Sequence, residues 1–173
     1  MTRVLGIDPG SRVTGFGVVD QVGHAYRYVD SGVIRTGSGS FPERLRVIYD
    51  DLAELITRHR PDVMVVEDVF VQRNASAALK LGQARGAAIC AGVTRGLTVA
   101  EYDPRSIKQA LVGRGGADKA QVQYMVCRLL DVQSPLAEDA GDALAAALCH
   151  VHQAGLQGRL REAAANQWGG NGS

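Results

Sequence analysis

The chain has 173 residues, 46% apolar and 21% charged, with a formal net charge of +1. That length predicts one domain with a substantial core and leaves little room for two lobes around a cleft. No apolar run approaches the roughly 20 residues that span a bilayer, and the start lacks the charged and apolar regions of a secretory leader, so the chain is read as cytoplasmic with no membrane partner.

"RVLGIDP" reads as a buried strand that ends in Asp8, and "VTGFGVVD" and "AYRYVDSGVIRT" continue it as a three-stranded antiparallel meander. The period then changes. Leu45, Ile48, Leu52, Leu55 and Ile56 fall at helical spacing between a Ser40 cap and a Pro61 stop, which predicts a helix crossing the sheet. "DVMVVEDVF" is a continuous apolar strand, expected to lie parallel to the first and carrying Glu67 near its end.

"NASAALKLGQARGAAICAGVTRG" predicts a helix from Asn74 to about Arg95, with Gly82 and Gly86 inside it. Those glycines suit either a dimer interface or a closely packed intramolecular contact. "LTVAEYDP" is a fifth strand. "RSIKQALVG" and "KAQVQYMVCRLLDV" are two short helices on either side of the glycine break "RGGAD". "SPLAEDAGDALAAALCHVHQAG" predicts the last helix, with Ser134 at N-cap and Pro135 at its first position, and the chain beyond Gly158 holds too few apolar residues to dock firmly. A mixed α/β sheet flanked by helices follows.

Charge is unevenly spread. Between residues 72 and 128 nine lysines and arginines stand against three acids, whereas the segments on either side are acidic. Such asymmetry suits a polyanion-binding face beside a carboxylate cluster, although solvated helix faces are basic too. Cys90, Cys127 and Cys149 form no CxxC pair and read as reduced, packed thiols. His24, His59, His150 and His152 read as structural or solvated.

Asp8 and Glu67 each sit at the end of a strand, and neighbouring parallel strands would bring them together on the carboxyl edge of the sheet, where α/β folds place ligands. Asp139 and Asp142 lie three apart on the last helix and therefore on one flank. Helix-dipole stabilisation accounts for Glu138 and Asp139 in a first turn, but not for Asp142, a poor helix former in an Ala/Leu-rich run. If the four met without counterions, each pair near 4 Å would cost about 4 kcal/mol at an effective dielectric near 20. An all-oxygen set of this kind suits Mg²⁺, with Mn²⁺ as a substitute, and two such ions can activate water and stabilise a leaving 3′ oxygen.

Together "GIDPGSRVTGFGVV", "VVEDVF", "NASAALKLGQARG" and "EDAGDALAAAL" resemble the RuvC family of Holliday-junction resolvases from about Arg3 to His152. The resemblance implies a ribonuclease H-like fold, which takes in residues 1–157 and the five strands of the mixed sheet, while the apolar-poor residues 158–173 read as a flexible tail. It also implies a homodimer, Mg²⁺-dependent cleavage of four-way junctions into ligatable 3′-hydroxyl and 5′-phosphate ends, and a tetrad matching Asp8, Glu67, Asp139 and Asp142. Some relatives carry histidine at the third acid, so Asp139 keeps this site all-carboxylate. Lys108 and Lys119 match family lysines that position the scissile phosphate, with Lys119 also offsetting transition-state charge. Phe70 suits either a core plug or a base-stacking platform, and the resemblance favours stacking. Arg73, Lys80 and Arg85 are further candidates for DNA-backbone contacts. Cooperation with the RuvA and RuvB branch-migration proteins is implied by the family as well. "GIDPGSRVTG" resembles, too, the first phosphate loop of actin-like and sugar-kinase-like ATP-binding proteins, whose two related lobes a chain of this length with no second loop does not supply.

Overall fold

The computed structural model describes residues 1–68 and 74–168, with side chains through Leu156. Its order is β1 (Thr2–Asp8), β2 (Val13–Val22), β3 (Ala25–Arg35), α1 (Phe41–His59), β4 (Val63–Glu67), α2 (Ala75–Val93), β5 (Thr98–Tyr102), α3 (Pro104–Val112), α4 (Lys119–Leu130) and α5 (Glu138–Trp168). The five strands form one sheet in the order β3-β2-β1-β4-β5. The meander is antiparallel, and β1, β4 and β5 are mutually parallel neighbours.

Each face of the sheet carries its own apolar layer. α1 and α2 cover Leu5, Ile7, Val18, Met64 and Val66 on one side. On the other, α3, α4 and α5 cover Val4, Val19, Val63 and Val65. This is what continuous apolar runs in β1 and β4 require, since successive residues point to opposite faces and both faces are buried. Among the described residues one charged side chain is fully buried: Asp20 meets Arg3 at 2.7 Å and the exposed Arg27 at 2.9 Å. Hydrogen bonding from Arg3, with Arg27 adding to it against the cost of burial, holds the Asp20 carboxyl down at about 2.

Glycines on the two strands beneath α5 fix how closely that helix approaches the sheet. Gly6 faces Gly17 across the β1–β2 pair, and Gly15 faces Asp8. A Cβ on Gly6 would lie 2.0 Å from the Ala143 carbonyl oxygen, one on Gly15 would lie 2.0 Å from that of Asp139, and one on Gly17 would lie 2.6 Å from the Leu144 side chain. The backbone of α5 therefore rests almost directly on the backbone of the sheet.

The start of α5 differs from the sequence expectation. It begins at Glu138, with the Gly141 N–H donating to the Ala137 carbonyl at 2.9 Å, rather than at a Ser134 cap with Pro135 following. Asp131, in the left-handed conformation (φ 51°), closes α4, and Val132 and Leu136 then pack against the core in a non-helical segment. At the other end of α5 the helical backbone runs on to Trp168, past Gly158, along an Ala-rich stretch. Cys149 is buried as expected, but Cys90 is exposed on α2.

Candidate active site

Asp8 is the last residue of β1 and Glu67 the last of β4. Ile7 pairs with Val66 across the parallel ladder, so the two carboxylates leave the sheet side by side, as their strand-end positions predict. Asp139 and Asp142 come from the first two turns of α5, held against this edge by the glycine contacts above. All four acids line one cleft of about 390 Å³, together with Lys119.

Lys119 owes its position to a reciprocal cap. The Asp118 carboxylate accepts from the Gln121 N–H at 2.8 Å, and the Gln121 side chain accepts from the Asp118 N–H at 3.1 Å, which fixes Lys119 as the first residue of α4. Its ammonium meets Asp142 Oδ2 at 2.8 Å and also pairs with Glu138. Lys108 is carried by α3, whose cap is Asp103 and whose first residue is Pro104. It joins Glu67, Lys119 and Asp142 around an adjoining cavity of about 220 Å³, floored by Ile107, Val122 and Ala145.

The electrostatics record the crowding of these acids. Burial, reinforced by the charges of Glu67, Asp142 and Asp139 and partly relieved by Lys119, pushes the Asp8 carboxyl up to about 8. Glu67 rises to about 7, through burial first and the charge of Asp142 second, with Lys119 and Lys108 opposing. For Lys119 burial works against the charged form, but hydrogen bonds to Asp142 and Glu138 outweigh it and its affinity for the proton rises. Burial first, and like charge nearby second, raise the proton affinity of both carboxyls. The donor set is all oxygen and suits hard divalent cations. It is a shared wall rather than a closed cage, for among the described residues no three acid, histidine or cysteine side chains are already drawn together for a metal.

The remaining sequence candidates separate. Lys80 is exposed on α2. Arg85 is turned inward, paired with Glu101 and lying 3.4 Å from Asp68, so its charge is spent within the fold. Phe70 and Arg73 lie outside the described residues. His150 is structural as expected, with Nδ1 3.0 Å from the Tyr102 hydroxyl, and burial lowers its proton affinity. Two groups at the site escaped the sequence reading: Glu138, which shares Lys119, and Gln123, which donates to Asp142 Oδ1 at 2.9 Å. The spacing of Lys119 and Gln123, one turn apart on α4, was the available signal.

Residues 4–150 match the family described as crossover junction endodeoxyribonuclease RuvC. The chain belongs to the RuvC family. A RuvC from Alkalilimnicola ehrlichii is 65% identical over 165 residues, covering 95% of this chain and all of the relative. Thermus thermophilus RuvC, solved in complex with Holliday junction substrate, superposes with a TM-score of 0.85 at 36% identity, covering 89% of this chain and 95% of that one. The yeast mitochondrial Holliday junction resolvase, at 14% identity and a TM-score of 0.67 over 87% of this chain and 78% of that one, shares the fold. The architecture is thus the ribonuclease H-like α/β fold expected for a RuvC chain, with a five-stranded mixed sheet. Among the described residues no helix is long and apolar enough to cross a membrane.

Proposed function

We propose that this protein resolves four-way DNA junctions by paired nicks, hydrolysing one phosphodiester in each of two strands of like polarity. One observation carries the reading: four carboxylates from three separate elements line a single cleft with Lys119, in a chain that belongs to a family of crossover junction endonucleases.

Asp8, Glu67, Asp139 and Asp142 are the residues that would hold Mg²⁺ or Mn²⁺. Bound there, the ions supply Lewis acidity and an activated water, two ions being the arrangement suited to in-line displacement. Every other contribution comes from the chain. Asp8 and Glu67, whose proton affinity burial and neighbouring charge raise, would bind such an ion as carboxylates, releasing their protons to solvent. Lys119 and Lys108, on the helices flanking the cleft, bind the non-bridging oxygens of the scissile phosphate and keep it in line. Lys119 then neutralises charge that grows on those oxygens in the transition state, an interaction strengthened by its half-enclosed setting. A water oxygen forms the new bond to phosphorus and loses one proton to solvent, the bond from phosphorus to the 3′ oxygen breaks, and that oxygen takes up one proton from solvent, so that one water is consumed per cut. The products are a 3′-hydroxyl and a 5′-phosphate.

Cutting two strands symmetrically calls for two equivalent sites, which a two-fold dimer supplies. The outward face of α2 supports this. Among the described residues a Cβ on Gly82 or Gly86 would meet nothing within 4 Å, and Leu79 and Val93 on the same helix are 69% and 57% exposed.

Incubation with a synthetic four-way junction and a linear duplex, with and without Mg²⁺, tests the proposal. Paired nicks confined to the junction and sealed by ligase are expected from the wild type. Asp8→Asn and Asp142→Asn should bind the junction but leave it uncut. Equal cutting of the duplex, or cleavage surviving Asp142→Asn, would refute the assignment.

A further inference from the structure

Asp142 has two oxygens with partners of different kinds. Oδ2 faces the half-exposed ammonium of Lys119 at 2.8 Å, while Oδ1 accepts from the neutral amide of Gln123 at 2.9 Å. The same Nε2 lies 3.4 Å from the Glu138 carbonyl oxygen, so the amide bridges two residues of α5's opening turns. Both contacts need a donor, which settles the amide orientation, since the reversed form would set oxygen against oxygen.

The terminal torsion of an aspartate is broad. A long, solvent-facing lysine does little to narrow it, and any divalent cation would compete with that lysine for the same oxygen. A neutral amide repels no cation and keeps its bond whether or not Lys119 stays. The seat for this amide is cut into α5 itself. A Cβ on Gly141 would fall 1.9 Å from Gln123 Oε1 and 2.5 Å from Nε2, and its three nearest atoms all belong to Gln123. Glycine inside a helix is unfavourable relative to alanine. The absence of a side chain at Gly141 leaves the space that the Gln123 amide occupies beside Asp142.

We infer that Gln123 is the positioning residue for Asp142, fixing its carboxylate plane so that Oδ2 is presented to a divalent cation, and that Gly141 exists to admit the Gln123 amide. The inference rests on the nuclease reading above. Outer partners of this kind generally tune metal affinity by ten- to a hundredfold.

The test is titration calorimetry with Mn²⁺ on the full-length, DNA-free protein, beside thermal melts, for the wild type, Gln123→Leu and Gly141→Ala. Gly141→Ala keeps Gln123 but pushes its flexible end away, and because alanine favours helix it should melt no lower than wild type. Both variants should bind Mn²⁺ on the order of tenfold more weakly. Both should also need correspondingly more Mn²⁺ for half-maximal junction cutting, recover rate at saturation, and bind the junction normally without metal. Wild-type Mn²⁺ affinity in Gly141→Ala would overturn the inference while leaving the nuclease reading intact. A wild type that neither takes up Mn²⁺ nor cuts the junction would overturn that reading, and this inference with it.

Discussion

α2 and α5 are both built from small residues, yet they use smallness in opposite ways. In α5 it is matched by glycines on the facing strands, and backbone meets backbone at Gly6, Gly15 and Gly17. In α2 the inward stripe is Ala84, Ala88, Ala91 and Gly92, where a Cβ on Gly92 would lie 2.7 Å from the Met64 side chain, while Gly82 and Gly86 meet nothing among the described residues. Small residues in a helix thus mark a close approach without saying to what. The strand glycines show that the α5 approach is internal and that it delivers Asp139 and Asp142 to the sheet edge.

Substitutions on the strand beneath α5 and on α2 itself should break this symmetry of composition. Gly15→Val places branched carbons where the Asp139 carbonyl sits, so α5 must lift. We expect a loss of about 3 kcal/mol or more in urea unfolding, with junction cutting abolished. Gly82→Ala meets nothing and gains helix propensity, so the same measurement should show a stabilisation of at most about 1 kcal/mol, and sedimentation equilibrium should show whether association suffers.

Between these extremes lies the electrostatic cost of what α5 delivers. Folded Asp8 holds its proton to about pH 8, against an ordinary value of 3.8. Across that window the folded state binds more protons than the unfolded state, so without divalent cations stability should fall as pH rises, the loss being complete above about pH 8. Asp8→Asn should flatten the curve. Above the window it should be more stable than wild type by about 2 kcal/mol, less than the full linkage value because Asp8 keeps some contact with water. Near pH 4 the two should converge. Melts in chelator from pH 4 to pH 9 decide the point. A smaller effect is expected of Lys119→Ala, which removes a half-exposed countercharge. Under the same conditions at pH 9 it should cost under about 1 kcal/mol.

The parts of the site legible from the sequence were those fixed by local pattern. Apolar runs closed by Asp8 and Glu67 announce two buried strands with acids at one edge, and three-residue spacing puts Asp139 and Asp142 on one flank. What escaped depends on contacts distant in sequence. Ser134–Pro135 is a strong local start signal, overridden because Leu136 is drawn into the core before α5 can begin. Arg85 reads as a free cation until α2 is set beside β5 and Glu101. Gln123 reaches Asp142 nineteen residues away, across an interface between two helices that periodicity alone does not orient. The strand glycines were visible, but their purpose was not: they admit a helix rather than merely close a hairpin.

The length of α5 ties the carboxylate cleft to folding cooperativity. The residues that follow its acids, Leu144, Leu148 and Val151, are at most 1% exposed and form the centre of one core layer. The same helix that closes the hydrophobic interior also carries Asp139 and Asp142, two of the four carboxylates in the cleft. Partial opening that spared the core while dispersing the acids has no structural unit to act through. On heating, therefore, nuclease activity should persist up to the global melting transition and vanish within it, making cleavage a direct reporter of the intact domain.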